Sequence, residues 1–156
     1  MSLLHRWRAG WTEPDKLAIR TPRHTLTYDD LDGAIRRAVG WLKAHDLGKG
    51  DILALQTEKT PAFLVLHLAA LSQGVITLPL NDRYTPAEVG FMVEDAGAKR
   101  AILVRPAPVS CPTIDAHDLG PQLNRAEAVD IGDGVDLESI GVICYTSGTT
   151  GKPKGA

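Results

Sequence analysis

The residues best equipped for chemistry lie together, in Thr146-Ser147-Gly148-Thr149-Thr150-Gly151-Lys152-Pro153-Lys154-Gly155. Three glycines, three threonines, one serine and two lysines fall within these ten positions. Glycines let the backbone approach a ligand closely, hydroxyls and amides donate hydrogen bonds, and lysines supply positive charge, a combination suited to wrapping a polyphosphate. The segment is not a Walker A loop, which needs glycine where Thr146 stands and Ser or Thr where Pro153 stands. Pro153 also disfavours a helical Lys152, so the loop itself must hold the phosphates rather than a helix opening inside it. The plain alternative is a flexible Gly/Thr linker. Against it stand the two lysines and the apolar run Ile140–Tyr145 directly upstream. A strand that delivers a loop at its carboxyl end places it where open α/β sheets bind ligands.

The elements that must position this loop are legible upstream. Ala18-Ile19-Arg20 and Thr25-Leu26-Thr27 flank a short polar link and predict a hairpin. Thr27 and Asp30 form a capping box for a helix running to about His45, with Leu31, Ile35, Ala38 and Leu42 as its inward stripe. The glycine-rich turn Leu47–Asp51 closes it. Ile52–Gln56 then predicts a strand, and Thr60-Pro61 starts an almost wholly apolar helix to Gln73, stopped by Gly74. Val75–Leu78 is the next strand, Thr85-Pro86-Ala87-Glu88 opens a helix to about Ala96, and Arg100–Val104 is another strand. Strands alternating with helices mark βαβ units, so the fold class is α/β, a mostly parallel sheet flanked by helices. Its strands are expected near Ile52, Val75, Ala101 and Ile140, whereas Arg105 to Val135 reads as a proline-rich connection with at most short elements.

The 156 residues are 44% hydrophobic and 23% charged, with a formal net charge of −2. That suits one globular domain and offers no field to attract nucleic acid or an anionic membrane. The N-terminus has no signal-peptide core, so the expected compartment is cytoplasmic. Thr60 to Asn81 lacks charge but is interrupted by Pro61, His67, Gly74 and Pro79, which argues against a transmembrane segment.

Other chemistry is poorly supported. Cys111 and Cys144 read as free or buried thiols. His5, His24, His45, His67 and His117 have no metal-ligand spacing, and His67 reads as a satisfied histidine inside an apolar helix. Asp29-Asp30 opens a helix, where acidic residues cap rather than catalyse. Trp7, Trp11 and Trp41 are too scattered to stack bases.

Tyr145 through Gly155 resembles the signature loop of the adenylate-forming superfamily of acyl-CoA synthetases, nonribosomal-peptide adenylation domains and luciferases. Leu26–Leu31 and the stretch from Leu68 through Gly74 to Asn81 resemble further segments of that superfamily, in the expected order. Gln56-Thr57-Glu58-Lys59, Pro79-Leu80-Asn81 and Tyr84-Thr85 look most like malonyl-CoA synthetases, with a medium- or long-chain fatty acyl-CoA synthetase as the alternative; Asn81 as a turn former and Thr85 as a helix cap would explain two of them structurally. The resemblance implies an ATP-dependent ligase that converts a small-molecule carboxylic acid, malonate or a fatty acid, to an acyl-adenylate and then transfers it to coenzyme A. It implies that Thr146, Ser147, Thr149 and Thr150 bond the ATP phosphates, that Gly148 and Gly151 allow close approach, and that Lys152 and Lys154 add charge, with Mg²⁺ bridging phosphate oxygens. In that superfamily the magnesium-binding glutamate, the acyl pocket and the C-terminal domain with its catalytic lysine lie downstream of this loop. Residues 1–156 are therefore expected to be the N-terminal portion of an adenylation domain, without catalytic residues and inactive alone. The competing expectation is a noncatalytic fragment acting as an interaction module through exposed apolar patches.

Overall fold

The computed structural model describes residues 3–132, 135–136, 138–146 and 153–156. It begins with helix α1 (Leu3–Ala9), a hairpin of β1 (Leu17–Arg20) and β2 (Thr25–Thr27), and helix α2 (Tyr28–Ala44). The expected capping box is formed: Asp30 N–H donates to Thr27 Oγ1 at 3.2 Å and Thr27 N–H donates to Asp30 Oδ2 at 2.9 Å. Those bonds to Thr27 hold the Asp30 carboxyl below its ordinary pKa. The inward stripe is Leu31, Ile35, Ala38, Val39, Trp41 and Leu42. Helix α1, which has no periodic signature, is tied to α2 by Arg8 Nε donating to Asp32 Oδ1 at 2.8 Å, while Trp7 packs on the core.

The central unit is β3 (Ile52–Gln56), α3 (Pro61–Gln73), β4 (Ile76–Leu80), α4 (Pro86–Ala96), β5 (Arg100–Leu103), β6 (Thr113–Asp115), a single 3-10 turn (Ala116–Asp118) and α5 (Leu119–Arg125). The four strands form one parallel sheet in the order β4-β3-β5-β6. Thr60 caps α3 ahead of Pro61, and Gly74 ends that helix in the left-handed region, which glycine occupies without steric penalty. Helix α3 is less enclosed than its composition predicts, since Leu64 is exposed on one side.

Alternate residues of β3 and β5 serve opposite faces of the sheet. Leu53, Leu55 and Ile102 join α2, α3 and α5 in one apolar cluster; Ala54, Ala101 and Leu103 join Leu78, Leu80 and helix α4 (Val89, Met92, Val93) in the other. Helices therefore cover both faces, and the expected α/β class is found.

The expected strand through Ile140 departs from the prediction. Val142 makes one isolated parallel bridge to Thr77 of β4, through Thr77 N–H to Gly141 O (3.0 Å) and Ile143 N–H to Thr77 O (2.9 Å), and Ile140 itself is 65% exposed. The fourth strand of the sheet is instead β6, drawn from the proline-rich connection. Beyond the bridge, β7 (Tyr145–Thr146) pairs antiparallel with β8 (Lys154–Gly155) as a separate two-stranded unit.

Candidate functional site

Strands β7 and β8 form the stem of the glycine-rich loop. Tyr145 lies opposite Gly155 and Thr146 opposite Lys154, and the pairing continues through reciprocal backbone bonds between Cys144 and Ala156 (2.8 and 2.9 Å). Thr146 and Lys154, two of the expected phosphate-binding residues, are thus cross-strand neighbours with exposed side chains. The other six, Ser147, Gly148, Thr149, Thr150, Gly151 and Lys152, lie outside the described residues.

The stem rests on the α4 side of the sheet, where Ile143 and Tyr145 pack against the cluster of Leu78, Leu80, Met92 and Val93. The Tyr145 ring lies against Gly155: a Cβ at position 155 would come within 3.2 Å of Tyr145 Cε2 and Cζ. Tyr145 Oη donates to Asp95 Oδ2 at 2.6 Å. Burial and that bond push the phenol up to about 12, so Tyr145 remains a neutral donor.

Strand order reverses between β3 and β5, and the carboxyl ends of the strands there open onto a cavity of about 660 Å³. Open α/β sheets bind ligands at such a point. Its lining includes Thr57, Thr60, Val65, Val104, His117 and Leu123. No described residue of the glycine-rich segment lines it; the segment leading into the stem bridges β4 at Thr77 and packs Ile143 and Tyr145 on the α4 side of the sheet. Two polar residues of the cavity, Asp30 and Thr60, are already spent as helix caps.

Several of the residues carrying the narrower malonyl-CoA synthetase likeness have structural work. Gln56, almost wholly buried, donates from Nε2 to the carbonyls of Asn81 (3.1 Å) and Tyr84 (3.4 Å). Asn81 Oδ1 accepts from Arg83 N–H at 2.9 Å as a turn former, and Thr85 caps α4 in a box with Glu88. Arg105 reaches the same loop, donating to the carbonyls of Asp82 (2.6 Å) and Tyr84 (3.3 Å). These contacts account for Gln56, Asn81 and Thr85 without reference to any acyl group, whereas Thr57 and Glu58 line the cavity.

His67 is the satisfied histidine expected, its Nδ1 2.9 Å from Thr77 Oγ1 and its pKa lowered by burial. Cys111 and Cys144 are free, and burial, followed by the nearby Glu94 charge, raises the Cys111 thiol. Among the described residues no group of three His, Cys, Asp or Glu side chains could hold a metal, and no helix is long and apolar enough to cross a membrane. The Asp95 partner of Tyr145 had no signal in the sequence, since 50 positions separate the two.

Residues 7–156 match the AMP-binding enzyme family. One of the plipastatin synthase subunits of Bacillus subtilis (strain 168) is 31% identical over 152 residues, covering 95% of this chain and 6% of that protein. The o-succinylbenzoate CoA synthetase MenE from Bacillus subtilis, in complex with the acyl-adenylate intermediate OSB-AMP, has a TM-score of 0.83 at 28% identity, over 99% of this chain and 41% of the solved one. The Klebsiella oxytoca NpsA N-terminal subdomain in complex with 3-hydroxybenzoyl-AMSN has a TM-score of 0.80 at 25% identity, over 91% and 36%. This chain thus spans well under half the length of each of these relatives. A strand-loop-strand stem bearing Thr146 and Lys154, a parallel sheet covered on both faces and a family match over nearly every residue agree: the chain belongs to the AMP-binding enzyme family of adenylate-forming proteins.

Proposed function

We propose that residues 1–156 are the N-terminal portion of an adenylation domain, ending at the loop that holds the phosphates of ATP while a carboxylic acid is activated as its acyl-adenylate. The observation carrying this reading is the stem, which sets Thr146 and Lys154 side by side, exposed and free of competing packing, at the two mouths of a Gly/Thr/Lys segment. Thr146, Ser147, Thr149 and Thr150 donate hydrogen bonds to phosphate oxygens, Gly148 and Gly151 let the backbone close in, and Lys152 and Lys154 meet the charge that grows on departing pyrophosphate. Mg²⁺, if carried in by the nucleotide, would supply positive charge to its phosphates beside Lys152 and Lys154.

The acyl acceptor and the acid are the finer part of the proposal. A likeness to an o-succinylbenzoate CoA synthetase favours transfer to coenzyme A; malonate or a fatty acid as the acid rests on the sequence resemblance alone, and the likeness to a plipastatin synthase puts amino acids among the acids to be tested. The test is ATP–pyrophosphate exchange by the protein that carries this chain, across malonate, fatty acids and amino acids, with thioester formation followed by mass spectrometry. Lys154→Ala should slow exchange, by the equivalent of ~2–4 kcal/mol if the assembled site excludes water around this exposed side chain. Exchange at the unmodified rate removes Lys154 from the mechanism. Self-association without nucleotide affinity would favour an interaction module instead.

A further inference from the structure

We propose that Tyr145 and Asp95 are positioning residues for the phosphate loop: their hydrogen bond clamps the stem onto helix α4 and so holds Thr146 and Lys154 ready to meet a polyphosphate together. The inference rests on the phosphate-binding reading above. Each strand of the stem is only two residues long, and an isolated two-stranded unit is at best marginally stable in water. Thr146 and Lys154 are exposed, so neither side chain can anchor itself by packing. The holding contacts must come from the stem's inner face. There the Tyr145 ring lies on Gly155, which joins one strand to the other, and its hydroxyl donates to Asp95 Oδ2 at 2.6 Å, which joins both strands to α4. Helix α4 is a firm support. It has a capping box at Thr85 and Glu88, a glycine cap at Gly97, and Val89, Met92 and Val93 buried against the sheet. A loop fixed at both stems before the ligand arrives loses less conformational freedom on binding, which appears as affinity.

The clamp makes a prediction of opposite sign to simple electrostatics. Asp95 carries negative charge beside a loop meant for anions, so by charge alone Asp95→Ala should tighten anion binding. By the clamp it should weaken it. The experiment is calorimetric titration of the chain with inorganic tripolyphosphate, alongside hydrogen exchange of the Cys144 and Ala156 amides, for the unmodified protein, Tyr145→Phe, Asp95→Ala, Asp95→Asn and Gly155→Ala. Tyr145→Phe keeps the ring on Gly155 and removes only the donor; Asp95→Asn keeps an acceptor oxygen. The expected result is affinity lower by ~10-fold, about 1.4 kcal/mol, and faster exchange at both amides in Tyr145→Phe and Asp95→Ala. Gly155→Ala, whose Cβ would crowd the Tyr145 ring and Ile143 Cγ2 at 3.2 Å, should weaken both in the same direction by a smaller amount, and Asp95→Asn should retain both affinity and protection. Unchanged affinity in Tyr145→Phe, or tighter binding in Asp95→Ala, overturns the positioning role. If the unmodified chain does not bind tripolyphosphate while Tyr145→Phe still loses protection, the phosphate reading fails, and the positioning role with it, although the clamp on the stem is real.

Discussion

Gly74 and Gly97 end their helices with nearly the same backbone, φ 70° and 68°, yet a side chain would meet different surroundings. At Gly97 an added Cβ touches nothing within 4 Å, so Gly97→Ala should cost only the left-handed strain of an L-residue, ~1–2 kcal/mol. At Gly74 it would approach Val135 Cγ1 to 2.9 Å and Lys49 Cγ to 3.1 Å, so Gly74→Ala should lower the urea midpoint further; equal midpoints would mean that those neighbours yield freely. His67 gives a pH dependence. Thr77 Oγ1 donates to Gly141 O at 3.4 Å, which leaves its lone pair for the Nδ1–H of a neutral imidazole. Burial lowers the folded pKa below the ordinary value of about 6.5, so the unfolded chain binds the proton more readily. The His67 contribution to stability is complete above about pH 6.5 and declines as pH falls through the folded pKa. His67→Gln should flatten the stability profile between about pH 7 and 5; an unaltered slope in that range would assign the dependence to other groups.

At the scale of elements, the helix starts are local chemistry and behave as such. Thr85 N–H donates to Glu88 Oε2 at 2.7 Å and Glu88 N–H donates to Thr85 Oγ1 at 3.3 Å. Thr85→Ala should therefore cost about 1 kcal/mol of stability, and adding Glu88→Ala should cost less than it does alone, because the two bonds belong to one reciprocal unit. Additive losses in a double-mutant cycle would show two independent contacts. The same locality made the helices readable from their residues. Thr27 with Asp30, Thr60 with Pro61, Thr85 with Glu88, and the closing Gly74 and Gly97 all act within four residues, so helices α2, α3 and α4 were legible nearly to the residue. What depended on distant partners was not. Strand β6 is three residues among prolines and exists because Ala101, Ile102 and Leu103 offer it a ladder. The run through Ile140 reads as a core strand by composition, but it reaches the sheet at one bridge only. The glycine-rich segment was recognisable as a motif, whereas the support of its stem by Asp95 arises only once α4 has folded.

At the scale of the whole molecule, one thin sheet serves two cores. Leu53 and Leu55 of β3 face the cluster of α2, α3 and α5, while Ala54 between them faces α4; on β5, Ile102 faces the first cluster and Ala101 and Leu103 the second. Neither cluster can lose its strands without removing a wall from the other, so the chain should unfold as one cooperative unit. The distribution of tryptophan makes this testable, because Trp7, Trp11 and Trp41 all belong to or pack against the first cluster. Tryptophan fluorescence therefore reports that face alone, whereas far-UV circular dichroism reports the whole backbone. Met92 lies in the opposite cluster and is 1% exposed. Met92→Ala leaves a cavity in a packed interior and should destabilise the chain by ~2–5 kcal/mol. If the sheet couples the faces, the urea transitions by fluorescence and by circular dichroism shift together and remain superimposable, although no tryptophan is near the altered residue. A fluorescence transition that stays in place while the dichroism splits into two steps would show that the α4 face unfolds by itself, and with it the support on which the Tyr145 stem rests.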